Sequence, residues 1–329
     1  MNLRRRLGKM LRGWRAQPAI LMYHRIAEPA VDPWGLSVSP ANFRSQLATL
    51  KRTRTPLSMN AFAERLATGS LPANAIALTF DDGYLDNLRQ AKPLLDELGV
   101  PATVFVTTGW IGSDKLFWWD ELTRLILLSR EPFGASVTID GETFAFDVGA
   151  ADDWEPRQTW RSWDPPRSER ETLYHTLWTK LQRLDEAERE RIVSDLGAQL
   201  GRAPVTSADR TVTREELARL PSAMVGVGVH AVTHQPLTSM TPEKRKQEVT
   251  DSRALCEEIV GTPMTGFAYP HGDLNAETRD IVEAAGFDWA VTTESRAVPR
   301  DCHPLALPRI MVPDVSGEAL LRHIARECS

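Results

Sequence analysis

The sequence predicts an α/β fold of parallel strands joined by helices, and three observations carry that expectation. Short apolar runs recur from residue 19 onward: "AILMYH", "AIALTF", "ATVFVTT", "MVGVGVH", "TGFAYP", "WAVTT" and "LALPRI". Amphipathic stretches separate them, as βα units around a parallel sheet require. Helix-boundary residues punctuate the alternation.

The runs read as strands because they are short, rich in β-branched and aromatic residues, and apolar on both faces, the pattern of strands buried on two sides. Helices are expected over residues 40–52, with Phe43, Leu47 and Leu50 on one face, over 85–98, with Leu88, Leu94, Leu95 and Leu98, and over 242–260, with Val249, Leu255 and Ile259. Ser39-Pro40 and Thr241-Pro242 have the form of a cap followed by proline at the first helical position. Glycine in "ELGVP" and "EAAGF" suits left-handed helix ends. Between about 113 and 212 the rhythm breaks into polar, tryptophan-rich sequence, so an insertion, mainly helical, is expected there within a domain spanning 18–329. Its tryptophans suit either the core of a small subdomain or, at Trp118 and Trp119 in "FWWDEL", a platform for sugar rings.

Length permits one barrel with insertions, since such folds reach 329 residues as a single domain. A net charge of −5 with 25% charged residues gives no basic surface for nucleic acid. Cys256, Cys302 and Cys328 lack metal or redox spacing and are expected as free thiols. Without a membrane-spanning run or secretory signal, a cytoplasmic location is expected. Residues 1–17 form a separate basic segment, and "MNLRRRLGKMLRGWRA" combines six basic residues with an apolar stripe at helical spacing. It suits peripheral contact of residues 1–16 with the inner face of a membrane.

"IALTFDDGY" ends a strand-like run with two adjacent carboxylates, Asp81 and Asp82. Like charges so placed resist ionisation together unless a cation divides their roles. Downstream, "VGVGVHAVTHQPL" places His230 and His234 at i, i+4 spacing, expected on one face of a helical turn. Both motifs follow strands, at the face that carries active sites in βα barrels. Two imidazoles and one carboxylate make a divalent-ion site, and the second carboxylate is free to take a proton from metal-bound water. Helix capping by both aspartates is the bland alternative. A non-haem iron oxygenase shares the ligand set but has no use for the poised base.

With "TFDDG", "HAVTH", "LMYHRI", "GFAYPHG", "AAGFDWAVTT" and "LPRI" in this order, the sequence resembles the polysaccharide deacetylase superfamily, the NodB-homology or carbohydrate esterase family 4 proteins, over most of residues 18–112 and 213–315. The resemblance implies a distorted (β/α)7 barrel, Asp81 as base, and Asp82, His230 and His234 as ligands of a divalent ion, zinc being the expectation. Ala231 replaces the usual hydroxyl residue of the histidine motif. The arginine that orients the base in many members is absent from Ala268-Tyr269-Pro270-His271, which falls with a YPxG-type branch. No Leu-x-His motif supplies a catalytic acid, which leaves His271, His303 and His24; by elimination His271 is expected to protonate the leaving amine. His24, Tyr269 and Arg309 are expected to contact substrate, His24 with orientation of a metal ligand as an alternative, Arg309 with pairing to Asp81 or a barrel-closing salt bridge as alternatives. The expected activity is removal of an N-acyl group, most naturally acetyl, from an amino sugar in a glycan or glycolipid precursor. A deformylase or amidase acting on a small non-sugar amide, or an inactive glycan-binding protein, are the alternatives.

Overall fold

The computed structural model describes residues 16–149, 154–201 and 209–329. Most of the basic N-terminal segment, residues 1–15, lies outside them. The seven predicted apolar runs each yield a parallel strand: β1 (Ala19–Tyr23), β2 (Ala75–Phe80), β3 (Ala102–Val106), β4 (Val225–Val229), β5 (Gly266–Ala268), β6 (Trp289–Val291) and β7 (Ile310–Met311). Their order in the sheet is β6-β5-β4-β3-β2-β1-β7, with the two-residue strand Thr55–Pro56 added beside β2. Every residue of β1, β2 and β3 is buried, which explains why they read as continuous rather than alternating apolar runs. The last run differs from expectation in detail: residues 304–306 form a 3-10 turn, and the strand begins only at Ile310. Leu307 nonetheless bridges to Val291, curling the sheet into a distorted barrel.

The expected caps are present. Ser39 accepts from the Asn42 N–H at the start of α1 (Pro40–Thr53), and Thr241 does the same for Lys244 at the start of α5 (Pro242–Val260). The stretch expected as a helix over 85–98 opens with a π-helical turn at Asn87–Ala91 before its α-helical part. Gly99 ends that part in the left-handed conformation at φ 63°. All three cysteines are free.

The insertion contributes α2 (Trp118–Leu122), α3 (Glu169–Leu181) and α4 (Glu186–Leu200), and beside these helices, which predominate as expected, an antiparallel hairpin, Phe133–Ile139 with Glu142–Val148. Its Trp118, Trp119, Trp160, Tyr174 and Leu177 form a hydrophobic cluster of their own beside the barrel core. Among the described residues no helix is long and apolar enough to cross a membrane.

Candidate metal centre and active site

Asp81 and Asp82 stand immediately after β2, where the strand ends and the backbone turns sharply. Gly83 must be glycine: its φ is +76°, and a Cβ there would lie 3.1 Å from Val106 Cγ1. Capping by the aspartates is not realised, since the N-cap of the following helix is Asp86.

The two carboxylates have opposite surroundings. Asp81 is gripped by Arg309 in a bidentate pair, Nη1 to Oδ1 at 2.6 Å and Nη2 to Oδ2 at 2.7 Å. Burial alone would raise its pKa, but the Arg309 guanidinium, with His230 and His24 nearby, holds it far below the usual carboxylate range. Asp82 has no such partner: burial raises its pKa, and its Oδ1 is buried without a hydrogen bond. A buried anionic oxygen with no donor is costly unless a cation meets it.

His230 and His234 meet that oxygen. Their Nε2 atoms lie 3.7 Å and 3.3 Å from Asp82 Oδ1. Donors bound ~2.0–2.1 Å from a tetrahedral ion sit about 3.3 Å apart, so the three residues fit a small divalent ion. The ligand atoms of Asp82, His230 and His234 all lie within 4.8 Å of one another. Burial lowers the pKa of both imidazoles, His234 to about 3, which keeps them in the neutral form that coordinates metal. His230 Nδ1 lies 2.8 Å from the Ala268 carbonyl; donating there leaves Nε2 as the free lone pair.

The i, i+4 spacing does not produce the expected helical turn. His230 follows β4, and residues 231–236 are irregular, with Ala231 and His234 left-handed at φ 60° and 61°. The loop holds its shape because Glu248, buried on α5, accepts from the N–H groups of Val232 and Thr233 and from the Thr233 hydroxyl. Sequence reasoning missed Glu248, since nothing distinguishes it there from the exposed acids of the same helix. Backbone strain collects here: of the positive-φ residues other than glycine among the described residues, Asp82, Ala231, His234 and His271 surround the site, and Asp140 alone lies in a distant hairpin turn. Such conformations persist where surrounding contacts over-determine them.

Several expected substrate contacts are placed differently. Arg309 is fully buried, its Nε bonded to the Thr292 carbonyl, so it serves Asp81 and has no surface for substrate. The guanidinium missing from the 268–271 stretch thus reaches the base from another strand. Tyr269 is also fully buried; its hydroxyl donates to Leu305 O and its ring packs on Phe267 in the core. Trp118 and Trp119 are 7% and 8% exposed, too little for sugar platforms. Trp118 is flanked by Trp178 and the Arg189 guanidinium, whereas Trp119 stacks on Phe117 and borders His234. Trp118 does edge a cavity of about 590 Å³ under α4, but no metal-site residue lines it. His24 stays beside both carboxylates, its pKa lowered by burial against their pull.

His271 lies at the rim, followed by Gly272, whose φ is +69° and whose Cβ would strike Thr293. Its imidazole turns in against His234, ring centroids 4.7 Å apart. Desolvation there, with His234 and His230 beside it, pushes the His271 pKa down to about 3. That direction disfavours the protonated form on which the expected acid role depends. His271→Tyr is therefore expected to keep activity within about tenfold and to leave the alkaline limb of the pH–rate profile in place, the reverse of what an essential acid would give. Loss of that limb would restore His271 as the acid. His303 caps a turn through its Nδ1, which accepts from Leu305 N.

The polysaccharide deacetylase family model matches residues 68–127 and 197–290. YxkH of Bacillus subtilis (strain 168) is 32% identical over 114 residues, covering 34% of this chain but only 41% of its own length. A poly-beta-1,6-N-acetyl-D-glucosamine N-deacetylase of Staphylococcus aureus is 19% identical over 87% of this chain and 71% of its own. Among solved structures, the Streptococcus pyogenes deacetylase PplD in complex with acetate shares the fold with a TM-score of 0.59 at 20% identity, covering 94% of this chain and 98% of its own.

Proposed function

We propose that this chain, which matches the polysaccharide deacetylase family model over residues 68–127 and 197–290, is a metal-dependent hydrolase of that family removing an N-acetyl group from an amino sugar in a glycan or glycolipid. The observation that carries the reading is the division of labour between neighbouring carboxylates: Asp81 saturated by Arg309, Asp82 open toward His230 and His234. A divalent ion held by Asp82, His230 and His234, zinc by donor type, would polarise an amide carbonyl and lower the pKa of a bound water to about 7. Asp81 accepts the proton of the attacking water. Arg309 fixes the plane of that carboxylate, so both oxygens stay where the water must sit. By its resemblance to the family, the His271 backbone N–H would meet the oxyanion.

An N-acetylated amino sugar agrees with the named substrate of the Staphylococcus aureus relative. A lipid-linked form suits the basic segment at residues 1–16, which would bring the chain to an anionic membrane face.

Purified protein is expected to contain about one divalent ion per chain and to release acetate from N-acetylglucosamine oligomers. The His230→Ala/His234→Ala double variant should lack both. Equal metal content in the two proteins would overturn the ligand assignment, and formate release from N-formylated substrates without acetate release would redirect the activity to deformylation.

A further inference from the structure

The two histidines of the centre are held in different ways. His230 has the Ala268 carbonyl on its Nδ1, the usual means by which a protein orients a metal-binding imidazole. His234 Nδ1 is buried with no hydrogen-bond partner. Rings surround it instead: Trp119 at 4.8 Å between centroids and Phe117 at 6.0 Å from the insertion, and His271 at 4.7 Å from the barrel. Phe117 and Trp119 are stacked on each other, 4.5 Å apart with an interplanar angle of 8°.

The stack is itself tied down. The Trp119 indole N–H donates to the Tyr84 hydroxyl at 3.1 Å, and that hydroxyl donates to Asp120 Oδ2 at 2.7 Å. The Tyr84 ring lies under the Arg25 guanidinium, 4.7 Å from its centroid, and Arg25 holds Asp86 at 3.0 Å. Trp110 backs Phe117 from behind at 4.8 Å. One chain of contacts therefore runs from the insertion, through the residue that ends "DDGY", to His234.

We propose that the Phe117–Trp119 stack, locked through Tyr84 to Asp120, is the positioning device for His234, doing by ring packing what the Ala268 carbonyl does for His230. The proposal rests on the metal-site reading above and not on the identity of the substrate. A buried imidazole lacking a hydrogen bond on its second nitrogen keeps rotational freedom about its side-chain torsions unless neighbours remove it. Rings on its flank remove that freedom before the ion arrives, so the ordering cost does not fall on metal binding. The insertion is then part of the metal centre and not an appendage to the barrel.

Titration with Co²⁺, followed by its visible d–d absorption, tests this without reference to turnover. Trp119→Ala is expected to weaken Co²⁺ binding by about 10–100-fold and to alter the band shape, the usual weight of a lost orienting contact. Trp119→Phe, which keeps a ring but no donor, should fall between that variant and wild type. Trp178→Leu serves as control: it removes a tryptophan of the insertion whose ring packs against Trp34 and Trp118, and it should bind Co²⁺ as wild type does. The proposal fails if folded Trp119→Ala binds Co²⁺ within about twofold of wild type, or if Trp178→Leu loses as much. Should Trp119→Ala not fold, wild-type affinity and spectrum in both Trp119→Phe and Tyr84→Phe overturn it. A wild-type protein that takes up no Co²⁺ would instead refute the metal site itself.

Discussion

Arg309→Met is expected to destabilise the protein by about 3–5 kcal/mol at neutral pH, because it leaves a buried carboxylate without its partner. Arg309 and Asp81 are 0% and 2% exposed and bonded through both nitrogen–oxygen pairs, so water cannot substitute for the guanidinium. The pH dependence has a definite sign. In wild type the folded-state pKa of Asp81 is depressed, so the pair's contribution is fully present above the unfolded value near 3.9 and fades as pH falls through the folded value. In the variant burial acts alone, the folded pKa rises above the unfolded one, and the penalty is relieved on acidification. The stability gap between the two proteins should therefore be widest near neutrality and narrow toward pH ~4. Urea denaturation at both ends of that range measures it, and equal stabilities at pH 7 would show that the pair contributes nothing.

Asp81→Asn is expected to lower turnover by roughly 10²–10⁴-fold while keeping the metal, the usual weight of a positioned acid or base. Asparagine preserves shape and cannot take a proton. Asp82→Asn should instead release the ion, since the carboxylate oxygen nearest both imidazoles would lose its charge. Elemental analysis alongside acetate release separates the two. If Asp81→Asn loses its ion while Asp82→Asn retains it, the assigned roles are reversed. Because Arg309 keeps Asp81 ionised across the working range, the acid limb of wild-type activity should not come from protonation of Asp81.

Several features were legible in the chain for local reasons. The strands could be read because residues buried on both faces must be apolar along the whole run, as in "AILMYH" and "AIALTF". The helix starts at Ser39-Pro40 and Thr241-Pro242 could be read because capping depends on four neighbouring residues. Asp81, Asp82, His230 and His234 stood out because adjacent carboxylates and paired histidines just after strands have few other uses. Tyr269, Trp118 and Trp119 misled for the converse reason: an aromatic side chain serves a core and a binding site equally well, and exposure, which decides between them, is not a local property.

What the sequence determined by itself was the set of strands, their parallel sense and the residues able to hold a metal, since each depends on burial pattern or chemical type over a few positions. Tertiary structure alone decided the partners. The order β6-β5-β4-β3-β2-β1-β7, with Leu21 opposite Ile310, sets Arg309 inside the barrel, where its guanidinium reaches Asp81 across 228 positions of chain. The same closure brings the insertion's Trp119 against His234 and turns the expected helical pair of histidines into a strained loop. Contacts of that kind follow from which strand ends share a face of the sheet, and no window of sequence contains that information.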